Sequence, residues 1–174
     1  MKSVVSILAL SLVVLSGCSK PSPEEYTSKA TVAINERNFN VAIEEYEKLI
    51  ADHPQSPQAE EALYMIARLQ NDELKNYPKA IETYKRYLDM YPQGKYAPVA
   101  VFLSAYLYHN ELNDLPHAKE MYERFLASYP DHEMAPSAKF ELDNLGKKPE
   151  ELLPVGQEPQ VAATNTPSKK SAKK

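Results

Sequence analysis

Apolar residues recur along the middle of this chain at i, i+3, i+4 and i+7, the spacing of one face of an α-helix. Phe39, Ala42, Ile43, Tyr46, Leu49 and Ile50 form one such stripe, with Glu44, Glu45, Glu47 and Lys48 facing away. Tyr77, Ala80, Ile81, Tyr84, Leu88 and Tyr91 form a second, and Leu115, Ala118, Tyr122, Phe125, Leu126 and Tyr129 a third. Between them, Ala59, Ala62, Leu63, Ile66 and Ala67, and then Ala97, Ala100, Val101, Leu103 and Ala105, predict partner helices with Ala where two backbones approach closely. Ala100 to Tyr108 is apolar nearly all round, which predicts a helix either central in the stack or part of a binding surface, with central burial favoured and a groove sharing some of its residues. Ser22-Pro23-Glu24-Glu25 places an N-cap, a first-turn Pro and a capping-box Glu in order, so a first helix should start there. Ser56-Pro57 repeats the cap-then-Pro arrangement, and Gly146 should cap a last helix from about Met134 to Leu145. Seven helices are predicted.

The stripes are in register. Asn38 to Pro54, Asn76 to Pro92 and Asp114 to Pro130 align without gaps at a constant step of 38 residues. Ala42, Ala80 and Ala118 correspond, as do Tyr46, Tyr84 and Tyr122, which are expected to wedge between helices. An internal repeat of this period predicts an array of helical hairpins, each closed by a Pro that cannot continue the helix. The pattern of Ala, three residues, Tyr, seven residues and Pro, preceded by a helix with small residues, resembles the tetratricopeptide repeat (TPR). Tyr26, Ala30, Ala33, Ala42, Tyr46 and Pro54 carry the resemblance best. It implies an all-α, right-handed TPR-like solenoid over residues 23–146. The departures are the period of 38, the absence of Trp-Leu-Gly, and Arg68 and Tyr106 at crowded helix positions.

Outside the repeats the chain changes character. Met1-Lys2, an apolar run from Val4 to Leu15 and then Leu15-Ser16-Gly17-Cys18 make a segment too short to span a bilayer but suited to a signal peptide. It resembles the lipobox of bacterial lipoproteins. The resemblance implies a signal peptide over residues 1–17, lipidation of Cys18, a short tether over 18–22, and a mature chain anchored at the periplasmic face of a bacterial outer membrane, since Ser19 rather than Asp follows the Cys. Longer repeats ending in Tyr-Pro are similar to those of the BamD-like lipoproteins of outer-membrane assembly and of CpoB-type TPR proteins. Residues 147–174 lose the periodicity and hold four Pro and six Lys, which predicts a disordered tail of charge +3.

The whole chain carries a formal charge of −4, which argues against nucleic acid as the main partner. One Cys excludes an internal disulfide and a multi-Cys zinc site. His53, His109, His117 and His132 form no i, i+4 metal pair, so no metal is expected, and His53 and His132 read as solvated loop residues. Nucleotide and hydrolase fingerprints are missing, so neither a cofactor nor a small-molecule substrate nor catalysis is expected. The TPR resemblance instead implies a groove for a protein partner, lined by Glu61, Tyr64, Met65, Arg68 and Asn71 and by Val99, Phe102, Leu103, Tyr106 and His109. The expected role is a protein-binding scaffold in the cell envelope, in outer-membrane β-barrel assembly; the alternatives are a Tol–Pal coordinator or an accessory subunit of a membrane-bound enzyme or transporter.

Overall fold

The computed structural model describes residues 20–147 and 151. The expected signal peptide and lipidated Cys18, and all of the expected tail except Lys147 and Glu151, lie outside the described residues. Among the described residues are seven α-helices: α1 Pro23–Asn35, α2 Phe39–Asp52, α3 Pro57–Arg68, α4 Tyr77–Met90, α5 Ala97–Asn110, α6 Leu115–Ser128 and α7 Ala135–Asp143. A π-helical segment, Leu69–Glu73, continues α3. No strand occurs among these residues, and the fold is an all-α series of helical hairpins.

Local chemistry sets the helix ends. The Ser22 hydroxyl accepts from the Glu25 amide at 3.3 Å while Glu25 accepts from the Ser22 amide at 2.8 Å, a complete capping box. Ser56 caps α3 through the Ala59 amide. Each hairpin turns on a left-handed residue, Arg37, Lys75 or Asn113, with φ of 61°, 52° and 50°. Such a residue costs about 1–2 kcal/mol when it carries a β-carbon, so its recurrence every 38 positions marks a turn that the packing imposes. Asn38, Asn76 and Asp114 follow and open α2, α4 and α6. α7 stops at Asp143, shorter than predicted at both ends, and Gly146 is left-handed at φ 77°.

The chain divides into two compact units, one ending at Ala100 and one beginning at Val101. In the first, α1 packs on α2, α2 on α3 and α3 on α4, while α1 also touches α3. Ala30, Ala42, Ala59, Ala67 and Ala80 are completely buried there, with Tyr46 and Tyr84 between helices as predicted. In the second, α6 packs on α7, and Phe102 of α5 meets Tyr122 and Phe125 of α6 edge-on at 5.8 Å. The predicted stripe on α4 was too narrow. Tyr87 and Thr83 are also buried, because the Thr83 hydroxyl donates to Gln70 at 2.7 Å and the Tyr87 hydroxyl donates to Glu60 at 2.6 Å.

The segments aligned at a step of 38 keep that step, but α3 is offset from α1 by one residue less, and the π-helical segment accommodates the difference. The inward row of α1 is Tyr26, Ala30 and Ala33, and that of α3 is Leu63, Ala67 and Gln70, which are 37 positions later, not 38. One extra residue must therefore be absorbed before Asn76. The Leu74 amide donates to the Leu69 carbonyl at 3.0 Å, five residues back, and in the second unit Leu112 donates to Leu107 in the same way. Arg68 and Tyr106 consequently leave the crowded position that gapless alignment gave them and are exposed, while Ala67 and Ala105 are fully buried.

The N-terminal residues are fastened to the first unit. Lys20 Nζ lies 2.8 Å from Asp52 Oδ1, the Tyr26 hydroxyl donates to Asp52 Oδ2 at 2.6 Å, and His53 Nε2 donates to the Pro21 carbonyl at 2.7 Å. Lys20 and then Tyr26 hold the Asp52 carboxyl below the ordinary carboxylate range, and Asp52 in turn pushes the Tyr26 phenol up to about 12. His53 is therefore a structural hydrogen-bonding residue, not a solvated one. His132 is too: it accepts from the Met134 amide at 3.2 Å and meets the Phe125 ring edge-on.

Tyr84 and Tyr122 are fully buried, and their hydroxyls have no hydrogen-bond partner. Burial pushes both phenols well above their ordinary pKa. In chemical unfolding, Tyr84→Ala is expected to cost about 3–5 kcal/mol through cavity formation, whereas Glu82→Ala on the exposed face should cost under about 0.5. Tyr84→Phe should be neutral or stabilise by about 1 kcal/mol, because it removes the orphaned hydroxyl and keeps the ring.

Candidate functional site

α3 of the first unit carries four of the residues expected to line a groove, Glu61, Tyr64, Met65 and Arg68, and the π-helical segment after it carries a fifth, Asn71. Glu61 is exposed, and Tyr64 and Met65 are half-buried. Tyr64 stacks on Tyr96 with ring centroids 4.1 Å apart and planes 1° from parallel, and its edges approach Tyr84 and Tyr87 at 6.3 and 6.4 Å. Arg68 Nε and Nη2 both donate to Asp72 Oδ2, at 3.1 and 2.9 Å, and Asn71 donates to Asp72 Oδ1 at 2.7 Å. The two residues are i, i+4 neighbours, with Asp72 in the π-helical turn. An exposed i, i+4 pair contributes only about 0.3–0.5 kcal/mol to stability, so its main effect here is to hold the guanidinium in one place.

Met65 and Arg68, joined by Ile34, Leu69, Asp72 and Glu73, line an open cleft of about 180 Å³. Its floor is apolar and its rim carries one cation and two carboxylates. It can take an apolar side chain while exchanging hydrogen bonds with a polar neighbour. Nothing in it resembles a nucleophile with an adjacent base.

Tyr96 is placed by a network that sequence reasoning missed. Glu60 Oε1 accepts from the Tyr87 hydroxyl at 2.6 Å and from the Lys95 amide at 2.7 Å, and the Tyr87 oxygen accepts from the Tyr96 amide at 2.9 Å. Burial, and then the bond to Glu60, raises the Tyr87 phenol well above its ordinary pKa. The segment from Tyr91 to Tyr96 is thereby closed onto α3. Gly94 is required by the close approach, because a β-carbon there would fall on the Tyr87 hydroxyl and stand 2.6 Å from Glu60 Oε1. Nothing local in the sequence signals this link between Glu60 and residues 35 positions away. The Arg68–Asp72 pair, in contrast, could have been found from its i, i+4 spacing.

The remaining expected residues lie on α5. Val99, in the first unit, is half-buried. In the second unit, Phe102 is engaged with Tyr122 and Phe125, Leu103 is half-buried, and His109 Nδ1 lies 3.4 Å from Glu141 Oε2 of α7. Tyr106 is 39% exposed and presents an open ring. Thus Met65 and Arg68 share one cleft, Tyr64 stands in an aromatic stack, and Phe102 and His109 are committed to packing within the second unit. The predicted central burial of α5 holds for Ala97, Ala100, Val101, Ser104, Ala105 and Leu107.

Two family models described as tetratricopeptide repeat match the chain, one over residues 27–95 and the other over residues 99–132. Together they cover more than half of it, and the chain belongs to the tetratricopeptide repeat family. No curated protein matches it.

Gly94→Ala should destabilise the first unit by about 1–3 kcal/mol through overpacking, and Glu60→Ala should do the same by orphaning the Tyr87 hydroxyl and the Lys95 amide. Thermal unfolding with near-ultraviolet circular dichroism, which reports the tyrosine stack, checks both.

Proposed function

We propose that this protein is a lipid-anchored, non-catalytic TPR scaffold that binds another protein at the periplasmic face of a bacterial outer membrane. The observation that carries the binding role is the open cleft at the end of α3, where Met65, Arg68 and Asp72 are held in fixed positions without being covered. TPR hairpins are protein-interaction units, and a preformed surface reduces the ordering cost of association. The lipid anchor is supported by the apolar N-terminal run ending in Leu15-Ser16-Gly17-Cys18, and the outer membrane by Ser19 after it. The 38-residue units with Tyr-Pro endings, joined to such an anchor, support a role like that of the BamD-like lipoproteins in outer-membrane β-barrel assembly.

Crosslinking in membranes followed by mass spectrometry identifies the partner. An envelope protein of the β-barrel assembly machinery supports the reading, and a Tol–Pal component or a membrane enzyme replaces it. Met65→Ala combined with Arg68→Ala is expected to weaken partner recovery about tenfold or more, as the loss of a hot-spot contact does, with helicity unchanged. Intact recovery would move the interface away from α3. Cys18→Ser should leave an unprocessed precursor longer by the 17 residues that precede Cys18, seen by mass spectrometry; a wild-type protein without acyl groups would remove the anchor from the reading.

A further inference from the structure

The two ends of the first unit differ in the residues at their turns. At one end α1 begins, α2 gives way to α3 and α4 gives way to α5. Gln58 donates to Glu24 there at 2.8 Å, and Tyr91 donates to the Pro54 carbonyl at 3.4 Å, which ties the two turns and the start of α1 into one face. These turns, residues 53–58 and 91–96, contain no carboxylate. Their exposed tips are Pro54-Gln55 and Pro92-Gln93, beside the exposed cations Lys95 and Lys20 and the exposed side chain of Met90. Of the carboxylates at this end, Asp52 is paired with Lys20, Glu24, Glu25 and Glu60 accept hydrogen bonds from within the unit, and Asp89, beside Met90, is exposed. The opposite end is densely charged, with Glu36, Arg37, Glu73 and Lys75 all exposed. In the second unit, the turn equivalent to residues 91–96 carries Asp131 and Glu133, both exposed.

The chain also enters the fold at this end, and it enters without slack. Lys20 is paired with Asp52, the Pro21 carbonyl accepts from His53, and Ser22 caps α1. Cys18 is two residues before Lys20, a reach of about 7 Å even when fully extended. A four-residue tether over Ser19 to Ser22 is therefore not what the body hangs from. Three of those four residues belong to the body.

We propose that the Pro-Gln end of the first unit lies directly on the lipid headgroups, and that the docking of residues 20–22 through Asp52, Tyr26 and His53 fixes this orientation. The proposal rests on the lipidation of Cys18. It turns the anchor from a leash into a mount that holds the charged end of the unit, with Arg37 and Glu73, away from the bilayer. The exposed Lys95 and the uncharged tips Pro54-Gln55 and Pro92-Gln93 are the groups this end brings to the headgroup layer.

The test uses the full-length protein, processed and acylated in a bacterial host and reconstituted into phosphatidylethanolamine–phosphatidylglycerol vesicles that carry a headgroup quencher. Cys18 is the chain's one native thiol and is consumed by the acyl group, so a second Cys can be labelled alone. Asn40→Cys in the first turn of α2 and Gln55→Cys just past its last residue place a fluorophore at opposite ends of that helix, separated by about 18 Å of helical rise. The expected result is quenching several-fold stronger at position 55 than at position 40. Adding Tyr26→Phe with Asp52→Ala should reduce that ratio toward one while far-ultraviolet circular dichroism stays unchanged. Equal quenching at both positions of an intact, acylated protein would overturn the mounted orientation alone. So would protection of position 55 by a bound protein instead of lipid. A protein whose mass shows no acyl groups would overturn the anchor and the orientation together.

Discussion

Two helices approach no closer than the side chains between them allow, and in this chain that distance is set by alanine. Ala30, Ala42, Ala59, Ala67, Ala80, Ala100, Ala105, Ala118 and Ala138 are completely buried. A methyl group at each contact lets the backbones come near enough for the long side chains around it to reach across. The tyrosines at 46, 84 and 122 fill the space so defined. Tyr84 and Tyr122 do so at a cost, since their hydroxyls are buried without partners. The ring must therefore contribute more through packing than the stranded hydroxyl loses, roughly 1–3 kcal/mol at each site. Tyr87 shows the other solution: its hydroxyl is used in full, as donor to Glu60 and acceptor from Tyr96.

The same alanine constraint explains the π-helical turn. Once Ala67 must face inward and Asn76 must open α4, the chain between them holds one residue more than a regular α-helix can use. The residue is absorbed at Leu69–Glu73. Arg68, the last residue of α3, is exposed beside this turn and donates to Asp72 within it. The cleft bounded by Met65, Arg68 and Asp72 is a by-product of fitting a 38-residue unit to an interior that repeats every 37 between α1 and α3.

Much of the architecture was legible in the sequence because it is periodic. The stripes on α2, α4 and α6, the Ser22 and Ser56 caps and the closing prolines all depend on neighbours within one turn of helix, and the structure places them as expected. What escaped was non-local or off-period. Tyr87 breaks no helical pattern, but only Glu60, on another helix, makes its burial favourable. The insertion after Arg68 is invisible to a gapless alignment, although the shift from Ala30 to Ala67 contains it. Of the expected groove residues, Met65 and Arg68 meet in one cleft; Phe102 and His109 satisfy the same face assignment but face α6 and α7 partners that spacing could not reveal.

Rigidity links these features to binding. Gly94 lets the Tyr91–Tyr96 segment close on Glu60, and that closure lays Tyr96 flat against Tyr64, one turn before Arg68 on the same helix. Arg68 is in turn held by Asp72 and the π-helical turn. A partner meeting this surface finds an aromatic plane and a guanidinium whose positions are already set by groups beneath them. The pair biases the Arg68 rotamer before binding, so part of a side-chain entropy on the order of 1–2 kcal/mol need not be lost on contact. On the proposed reading the network around Glu60 serves the binding surface as well as the core: loosening it would make the surface more costly to engage.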